Sequence, residues 1–457
     1  MATSPAQSPN MVPPLSAERP VNWPKRVKSK LANGLEIVVV EAHSIPRFHG
    51  QLFFRSGEAA VSHRAPGLAE MTATMVRTGT AKRASRQIEE DLRRLGADLS
   101  SSAGQDTSAI SFGGLSEFAE PLLALVNVLA REASFPEAEF ERERRQKLEE
   151  VKLERTQPTF LAGERLRKIL FGDHPYAKVS ASEPQVAAYK IADLQTVYRE
   201  AYTPANGALL LVGDVEPKAI LASVEKIFAP WSGKKPAAPA SAAPANPRGR
   251  RVYLVHVPGA VQTQILCGCH SITRKHPDWV KLGLTNSLYG GAFNSRLVMN
   301  IREAKGYTYS PRSSVNAFLQ YGYFSVSAAV RNDVVAASLT EIFYEIDKLR
   351  SLPVPESELA DAQNYLTGVF SMGLATQDGL LAQIGTVALN ELPDDYLETY
   401  RDKVRALTPA DLQATAQKYL DSANMQIVLV GDRSKIETQA TLFGDLEICD
   451  AQGNRLS

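Results

Sequence analysis

Residues 192–214 read ADLQTVYREAYTPANGALLLVGD, and residues 410–432 read ADLQATAQKYLDSANMQIVLVGD. The two stretches align without a gap at an offset of 218, with 10 of 23 positions identical. Repetition over that length marks two copies of one structural unit. In each copy an amphipathic segment leads to a turn at Ala-Asn, and a short apolar run then ends in Val-Gly-Asp. The pattern predicts a helix, a turn and a strand, with Gly213 and Gly431 serving a backbone bend after the strand.

Between the copies lies WSGKK followed by PAAPASAAPANPRGR, residues 231–250. An Ala/Pro-rich stretch buries little apolar surface and is expected to form an extended, semi-rigid linker. It separates 26–230 from 251–457, two pieces of ordinary domain size. Residues 1–25 are rich in Pro, Ser and Ala, carry no apolar signal-peptide core, and read as a disordered tail. That start fits an exported, periplasmic chain trimmed of its signal, or alternatively a cytoplasmic chain with a loose end.

In each piece, strand-like runs come first and a block of helices follows. In the first, Leu35–Val40, Gln51–Arg55 and Ala109–Phe112 read as strands. Helices are expected over Gly67–Arg77, Ser85–Leu95, Glu117–Glu132, Glu137–Thr156 and Phe160–Leu170. In the second, strands are expected at Val252–Val257, Gln262–Cys269, Tyr307–Val315 and Tyr321–Ala329. Its helices are expected at Asp278–Tyr289, Ser295–Ala304, Val334–Leu349, Glu356–Met372, Leu380–Leu389 and Pro393–Val404, the last with Pro393 in its first turn. This order indicates α+β layers, not alternating β-α-β units.

Composition narrows the function. A 44% hydrophobic, 22% charged chain has the balance of a soluble globular protein. The net charge of +1 comes with no face that concentrates Lys and Arg, which argues against nucleic acid. No apolar run reaches bilayer-spanning length. Three cysteines make no disulfide framework, and Cys267 and Cys269, two apart in a strand, would share a face as small core or surface thiols. None of the seven His lies within a helical turn of another.

Residues 67–75 read GLAEMTATM. The stretch resembles the active-site helix of the pitrilysin-type metallopeptidases, the inverted zincins that include insulinase and mitochondrial processing peptidase. Family members usually read G-L-A-H-F-L-E-H-M there. Two His bind Zn²⁺ and the Glu between them activates a water. Here Glu70 stands at the first His position, Ala73 at the Glu position and Thr74 at the second His position. Ala73 takes no proton, and a Thr hydroxyl is a poor zinc ligand beside imidazole. The family's third ligand, a Glu on a later helix, matches Glu150, 76 residues after Thr74. Two plainer readings stand beside it. Glu150 is a solvated or ion-paired helix carboxylate, or Glu70, Thr74 and Glu150 weakly hold a hard cation such as Mg²⁺ or Ca²⁺.

Residues 290–310 read GGAFNSRLVMNIREAKGYTYS, which resembles the C-terminal motif of the same family. The resemblance gives Arg302 and Tyr309 the part of the family's paired Arg and Tyr, which hold a substrate carbonyl and the developing oxyanion. Locally, Arg302 falls in the last turn of a helix and Gly306 is a natural residue to end it. Tyr309 is expected at the start of a strand, on the same face as Tyr307. The alternative has Arg302 paired with Glu303 or Glu137 and Tyr309 merely packing. His174 lies in FGDHP, which matches a family turn of structural character. Gly290-Gly291 lacks the Lys-Ser/Thr of a phosphate-binding loop and more simply ends one helix and starts the next.

The resemblance therefore implies two homologous α+β units, each a mixed β-sheet with helices packed on one face, together forming half of a clamshell. It implies a non-catalytic subunit that binds no metal, pairs with a homologous zinc-bearing subunit as a heterodimer, and meets a peptide substrate. Arg302 and Tyr309 would then act in trans. A structural or assembly subunit, or a peptide-binding module without hydrolysis, are the alternatives.

Overall fold

The computed structural model describes residues 21, 23–237, 241, 243–244 and 246–456. Most of the expected tail 1–25, and linker positions 238–240, 242 and 245, lie outside the described residues. Among the described residues, twelve strands form two six-stranded sheets. The first sheet holds β1 (Arg26–Lys30), β2 (Glu36–Glu41), β3 (Arg47–Phe54), β4 (Asp98–Ala103), β5 (Ser108–Leu115) and β6 (Gly207–Gly213) in the order β1-β2-β6-β3-β5-β4. The second holds β7 (Arg251–His256), β8 (Gln262–Ser271), β9 (Arg312–Ala317), β10 (Gly322–Arg331), β11 (Gln426–Gly431) and β12 (Asp445–Cys449) in the order β12-β7-β11-β8-β10-β9.

The sequence repeat explains this architecture. Its two strands, β6 and β11, take the same place in the two sheets. Each runs parallel to the unit's first internal strand, β2 or β7, and antiparallel to β3 or β8. Every residue of β6 and β11 is buried, so both read as continuous apolar runs and not as alternation. Beyond them β5 and β4 match β10 and β9. Only the remaining edge differs. In the first sheet it is β1, antiparallel to β2; in the second it is β12, parallel to β7. The paired glycines act for different reasons. Gly213 has φ +153°, and a Cβ there would lie 2.4 Å from the Phe48 Cα, whereas a Cβ on Gly431 would meet the Thr263 hydroxyl at 2.8 Å.

One face of each sheet carries the helices of its own unit. Leu68–Val76, Ala119–Glu132, Ile191–Ala201 and Pro217–Phe228 cover the first; Trp279–Asn286, Val335–Ser351, Pro409–Tyr419 and Arg433–Ala440 cover the second. The opposite faces are not bare, which extends the expected one-sided packing. Leu380, Leu381, Ile384 and Val387 of the helix Gln377–Leu389 pack on Val40, Phe53, Leu210 and Val212 of the first sheet. Reciprocally, Leu161, Leu166 and Leu170 of the helix Pro158–Phe171 pack on Tyr253, Val255, Val428 and Val430 of the second. The two units thus exchange equivalent helices.

Three strands escape a reading of pattern. β1 (RVKSK) and β4 (DLSSSA) are polar edges, and β12 follows the repeat. Two expectations need correction. Residues 307–311 are loop, because the strand that follows begins only at Arg312. The helix expected from Pro393 begins at Tyr396, and the Pro393 carbonyl instead closes the preceding turn by accepting the Tyr396 N–H at 3.0 Å. Cys267 and Cys269 do share a face: both are buried free thiols in the core of the second unit, and burial pushes each up to about 12.

Candidate functional site

The helix Leu68–Val76 buries Leu68, Ala69, Met71, Ala73, Met75 and Val76. Its N-terminus is capped from a distance. The Glu58 carboxylate accepts the N–H of Gly67 at 2.9 Å and of Glu70 at 2.8 Å, two donors that the helix itself leaves unpaired. Burial pushes Glu58 up to about 7, winning over those two donors, which act in the opposite sense. Ala73 is fully buried, so the position at which the family pattern places a proton acceptor is packed into the core here. Thr74 is half-buried.

The helix Glu137–Glu154 runs alongside and brings Lys147 and Glu150 to Glu70. The Lys147 ammonium lies 3.0 Å from both Glu70 oxygens and 3.1 Å from Glu150 Oε2. Its side chain is 11% exposed, against 46% for Glu70 and 51% for Glu150. Burial alone would lower the Lys147 pKa; the two carboxylates more than offset it, and the net shift is upward. Glu150 is therefore an ion-pair partner.

This donor set does not fit a zinc ion. It offers no imidazole or thiolate, a hydroxyl at Thr74, and two carboxylates already bridged by an ammonium. Among the described residues, no group of three or more His, Cys, Asp or Glu is placed to hold a metal ion. The hard-cation reading of Glu70, Thr74 and Glu150 loses its basis for the same reason, because Lys147 supplies the positive charge between the carboxylates. Sequence reasoning misses both Glu58 and Lys147. Lys147 is one charge in the run ERERRQKLEEVK, and its only local signal is the i, i+3 spacing to Glu150.

Arg302 and Tyr309 come together on the second unit. Residues Val298–Ala304 form a π-helical segment, in which the Lys305 N–H reaches the Asn300 carbonyl five residues back. Gly306 then turns the chain with φ +63°. The following loop is tied to β10 by Thr308 Oγ1, which donates to the Ala329 carbonyl at 2.7 Å, and by Arg331, which donates to the Gly306 carbonyl at 3.2 Å. In this loop Tyr309 is 78% exposed, and not at a strand start as expected. The Arg302 guanidinium sits between two rings, 4.7 Å from the Tyr309 centroid and 4.8 Å from that of Phe293. It also pairs with Glu303 at 3.2 Å, the nearer of its two expected partners. Among the described residues, no hydrogen bond or ion pair joins this cluster to Glu70 or Glu150.

The FGDHP turn has a structural role at the junction of the units. Tyr176 donates to Asp106 at 2.5 Å, and Asp106 also accepts the Leu319 N–H at 2.9 Å from the β9–β10 connection. His174 is buried there, its Nδ1 accepting the Tyr176 N–H at 3.1 Å, and burial lowers its pKa.

Comparison with known proteins gives matches over most of the chain. Residues 37–181 match the family model described as insulinase (peptidase family M16), and residues 189–366 match the peptidase M16 inactive domain. An uncharacterized zinc protease of Mycobacterium tuberculosis is 25% identical over 276 residues, 60% of this chain. That match spans 63% of the relative's own length. An uncharacterized zinc protease of Mycobacterium leprae is 23% identical over 403 residues, covering 86% of this chain and 89% of that protein. Among solved structures, the peptidase M16 inactive domain from Pseudomonas fluorescens superposes with a TM-score of 0.84 at 27% identity, over 89% of this chain and 98% of that one. A protease from Helicobacter pylori shares the fold, with a TM-score of 0.84 at 20% identity over 89% of this chain and 100% of that one.

Proposed function

The chain belongs to the pitrilysin-type peptidase family M16 and lacks that family's zinc motif, and on that premise we propose that it is the non-catalytic subunit of a two-chain zinc peptidase. In this reading a homologous partner supplies the metal and the proton acceptor. This chain supplies half of a clamshell chamber around a peptide, together with Arg302 and Tyr309.

The observation that carries the reading is an asymmetry between two motifs. At the first, Lys147 bridges Glu70 and Glu150, and Ala73 is packed away. At the second, Tyr309 is exposed, and the Arg302 guanidinium is oriented by two aromatic faces. A phenol and a guanidinium held ready offer hydrogen-bond donors to a substrate carbonyl and to the charge that develops on it. Their orientation ahead of substrate arrival is what makes such donors effective, since no reorganisation is left for the reaction step.

The test is Tyr309→Phe in the assembled two-chain enzyme. Loss of one such donor slows turnover by about ten- to a thousand-fold, with no peptidase activity from the isolated chain. A structural or assembly role is favoured by one specific observation: Arg302 is already paired with Glu303. Turnover unchanged in Tyr309→Phe would select that role and remove the part played in trans.

A further inference from the structure

The net charge of +1 hides a local imbalance at the start of the linker. A groove of about 520 Å³ opens where the last turns of the helices Ala119–Glu132 and Ile191–Ala201 meet the segment 230–236. Four cations from these three elements line it: Arg131, Arg199, Lys234 and Lys235. Arg199, Lys234 and Lys235 are exposed and Arg131 is half-buried, so a ligand in the groove can reach them. Among the described residues, none of the four makes an ion pair; Arg199 only donates to Thr196 Oγ1 at 3.2 Å.

The acids nearby do not balance these charges. Glu200 is the single acid in the lining, and both its oxygens are held by Arg64 at 2.8 Å. Glu391 of the second unit lowers its pKa partly through Lys235, but Lys275 already holds it at 2.6 Å. Glu132, next to Arg131 in the chain, is exposed. The two helix C-termini carry about half a negative charge each, which accounts for one arginine in each last turn but for neither lysine. With Glu132 and both helix ends set against the four cations, about two positive charges remain.

The wall that carries the lysines is held in place. The Lys234 carbonyl accepts from Thr203 Oγ1 at 3.0 Å, and the Trp231 carbonyl from Asn33 Nδ2 at 2.9 Å. Gly233 permits this close approach, because a Cβ there would lie 2.7 Å from the Thr203 Cβ. Like charges gathered on such a frame repel, and an anion that spans them relieves the repulsion. Guanidinium groups meet phosphate oxygens as forked donors, and ammonium groups meet them as point charges. A single phosphate reaches one or two of these cations, whereas a chain of phosphates reaches cations on all three elements. Tyr198, Tyr202 and Trp231 are buried, so the groove offers no open ring on which a base could stack.

We propose that this groove binds an oligophosphate chain. Its phosphates lie between Arg131 and Arg199 on one side and Lys234 and Lys235 on the other. The groove shares no residue with the Arg302/Tyr309 cluster, so the proposal stands or falls separately from the in-trans reading.

Isothermal titration calorimetry of the full chain with sodium triphosphate at low salt provides the test. Inorganic phosphate is expected to bind at least about tenfold more weakly than triphosphate, because it spans fewer cations. Lys234→Gln with Lys235→Gln, and separately Arg131→Gln with Arg199→Gln, should each weaken triphosphate binding at least about tenfold, since each pair removes two charged hydrogen bonds. Both lysines are exposed, so the first pair stays informative if the second fails to fold. Lys348→Gln, at a second-unit lysine with no ion pair among the described residues, should leave affinity within about twofold. An ATP arm separates the sources: tighter binding than triphosphate makes a nucleotide the carrier, and equal or weaker binding makes it the free chain. No binding by the wild-type chain overturns the proposal. So does equal affinity for phosphate and triphosphate, an affinity that either groove double variant leaves unchanged, or an equal loss in Lys348→Gln. A hexaglutamate peptide that binds as tightly as triphosphate overturns it too, and would make the groove a site for acidic protein segments.

Discussion

At the residue scale, the chain replaces a metal-binding arrangement with an internal ion cluster, and Glu58 sits at its root. The carboxyl is buried, caps the helix Leu68–Val76, and is pushed from 4.5 up to about 7. A folded-state pKa above the unfolded one means that folding favours the protonated acid. Its contribution to stability is complete below about pH 4.5 and is lost as pH rises through about 7. Between pH 5 and 8 this group alone lowers stability by up to about 3 kcal/mol. Glu58→Gln keeps an acceptor for a backbone N–H but carries no proton to lose, so its stability should be flatter across that window. Urea midpoints at pH 5, 6, 7 and 8 for both proteins measure the difference. Parallel curves would show that Glu58 does not titrate there.

The residue scale also marks the limit of legibility. The departure from the family's zinc motif at Ala73 and Thr74 is visible in nine letters, because metal ligation demands particular side chains at fixed spacing. What fills the place is not visible. Lys147 and Glu70 are 77 positions apart, and nothing in a charged helix says which lysine will turn inward. The stretch YTYSPRSSV reads as a strand that includes Tyr309, and the structure makes its first five residues a loop. The turn at Gly306 is legible locally, but the loop persists because Thr308 bonds sideways to β10, a partner 21 residues away that the local pattern does not name.

At the element scale, the repeat predicts that equivalent helices do equivalent jobs, and they do. Pro158–Phe171 and Gln377–Leu389 start at nearly the same offset as the repeat itself. Which sheet each one covers is not written in its amphipathicity. The segment QDGLLAQIGTVAL is apolar around most of its circumference, which signals burial without naming the partner. The packing gives a cross-unit prediction. Ile384 is 3% exposed and contacts the first sheet, although it belongs to the second half of the chain. Ile384→Ala should cost about 2–4 kcal/mol, the usual loss for a large-to-small change in a core. Its signature is where the loss appears. Hydrogen exchange of the β6 amides, more than 170 residues away in sequence, should speed up. A fall in stability with β6 protection unchanged would place Ile384 outside the first unit's core.

At the scale of the whole molecule, the exchange of helices decides how the chain unfolds. A linker of Ala and Pro between two units of domain size predicts separate folding, with the halves melting independently. The packing argues the reverse. Without residues 377–389, the first sheet would present Val40, Phe53, Leu210 and Val212 to water; without 158–171, the second would present Val255, Val428 and Val430. Faces of that kind are covered in stable proteins and drive aggregation when bare. The intact chain should therefore unfold in one transition, its calorimetric enthalpy equal to the van't Hoff value, despite a length at which two are common. Cutting a protease site inserted at 236–246 should leave the halves associated and the melting temperature within a few degrees, because the helices and not the linker hold them. Expressed alone, either half should be insoluble or bind a hydrophobic dye, and co-expression should recover the complex. Two resolved transitions in the intact chain, or a soluble and cooperatively folded half, would show that the exchanged helices dock on units already stable without them.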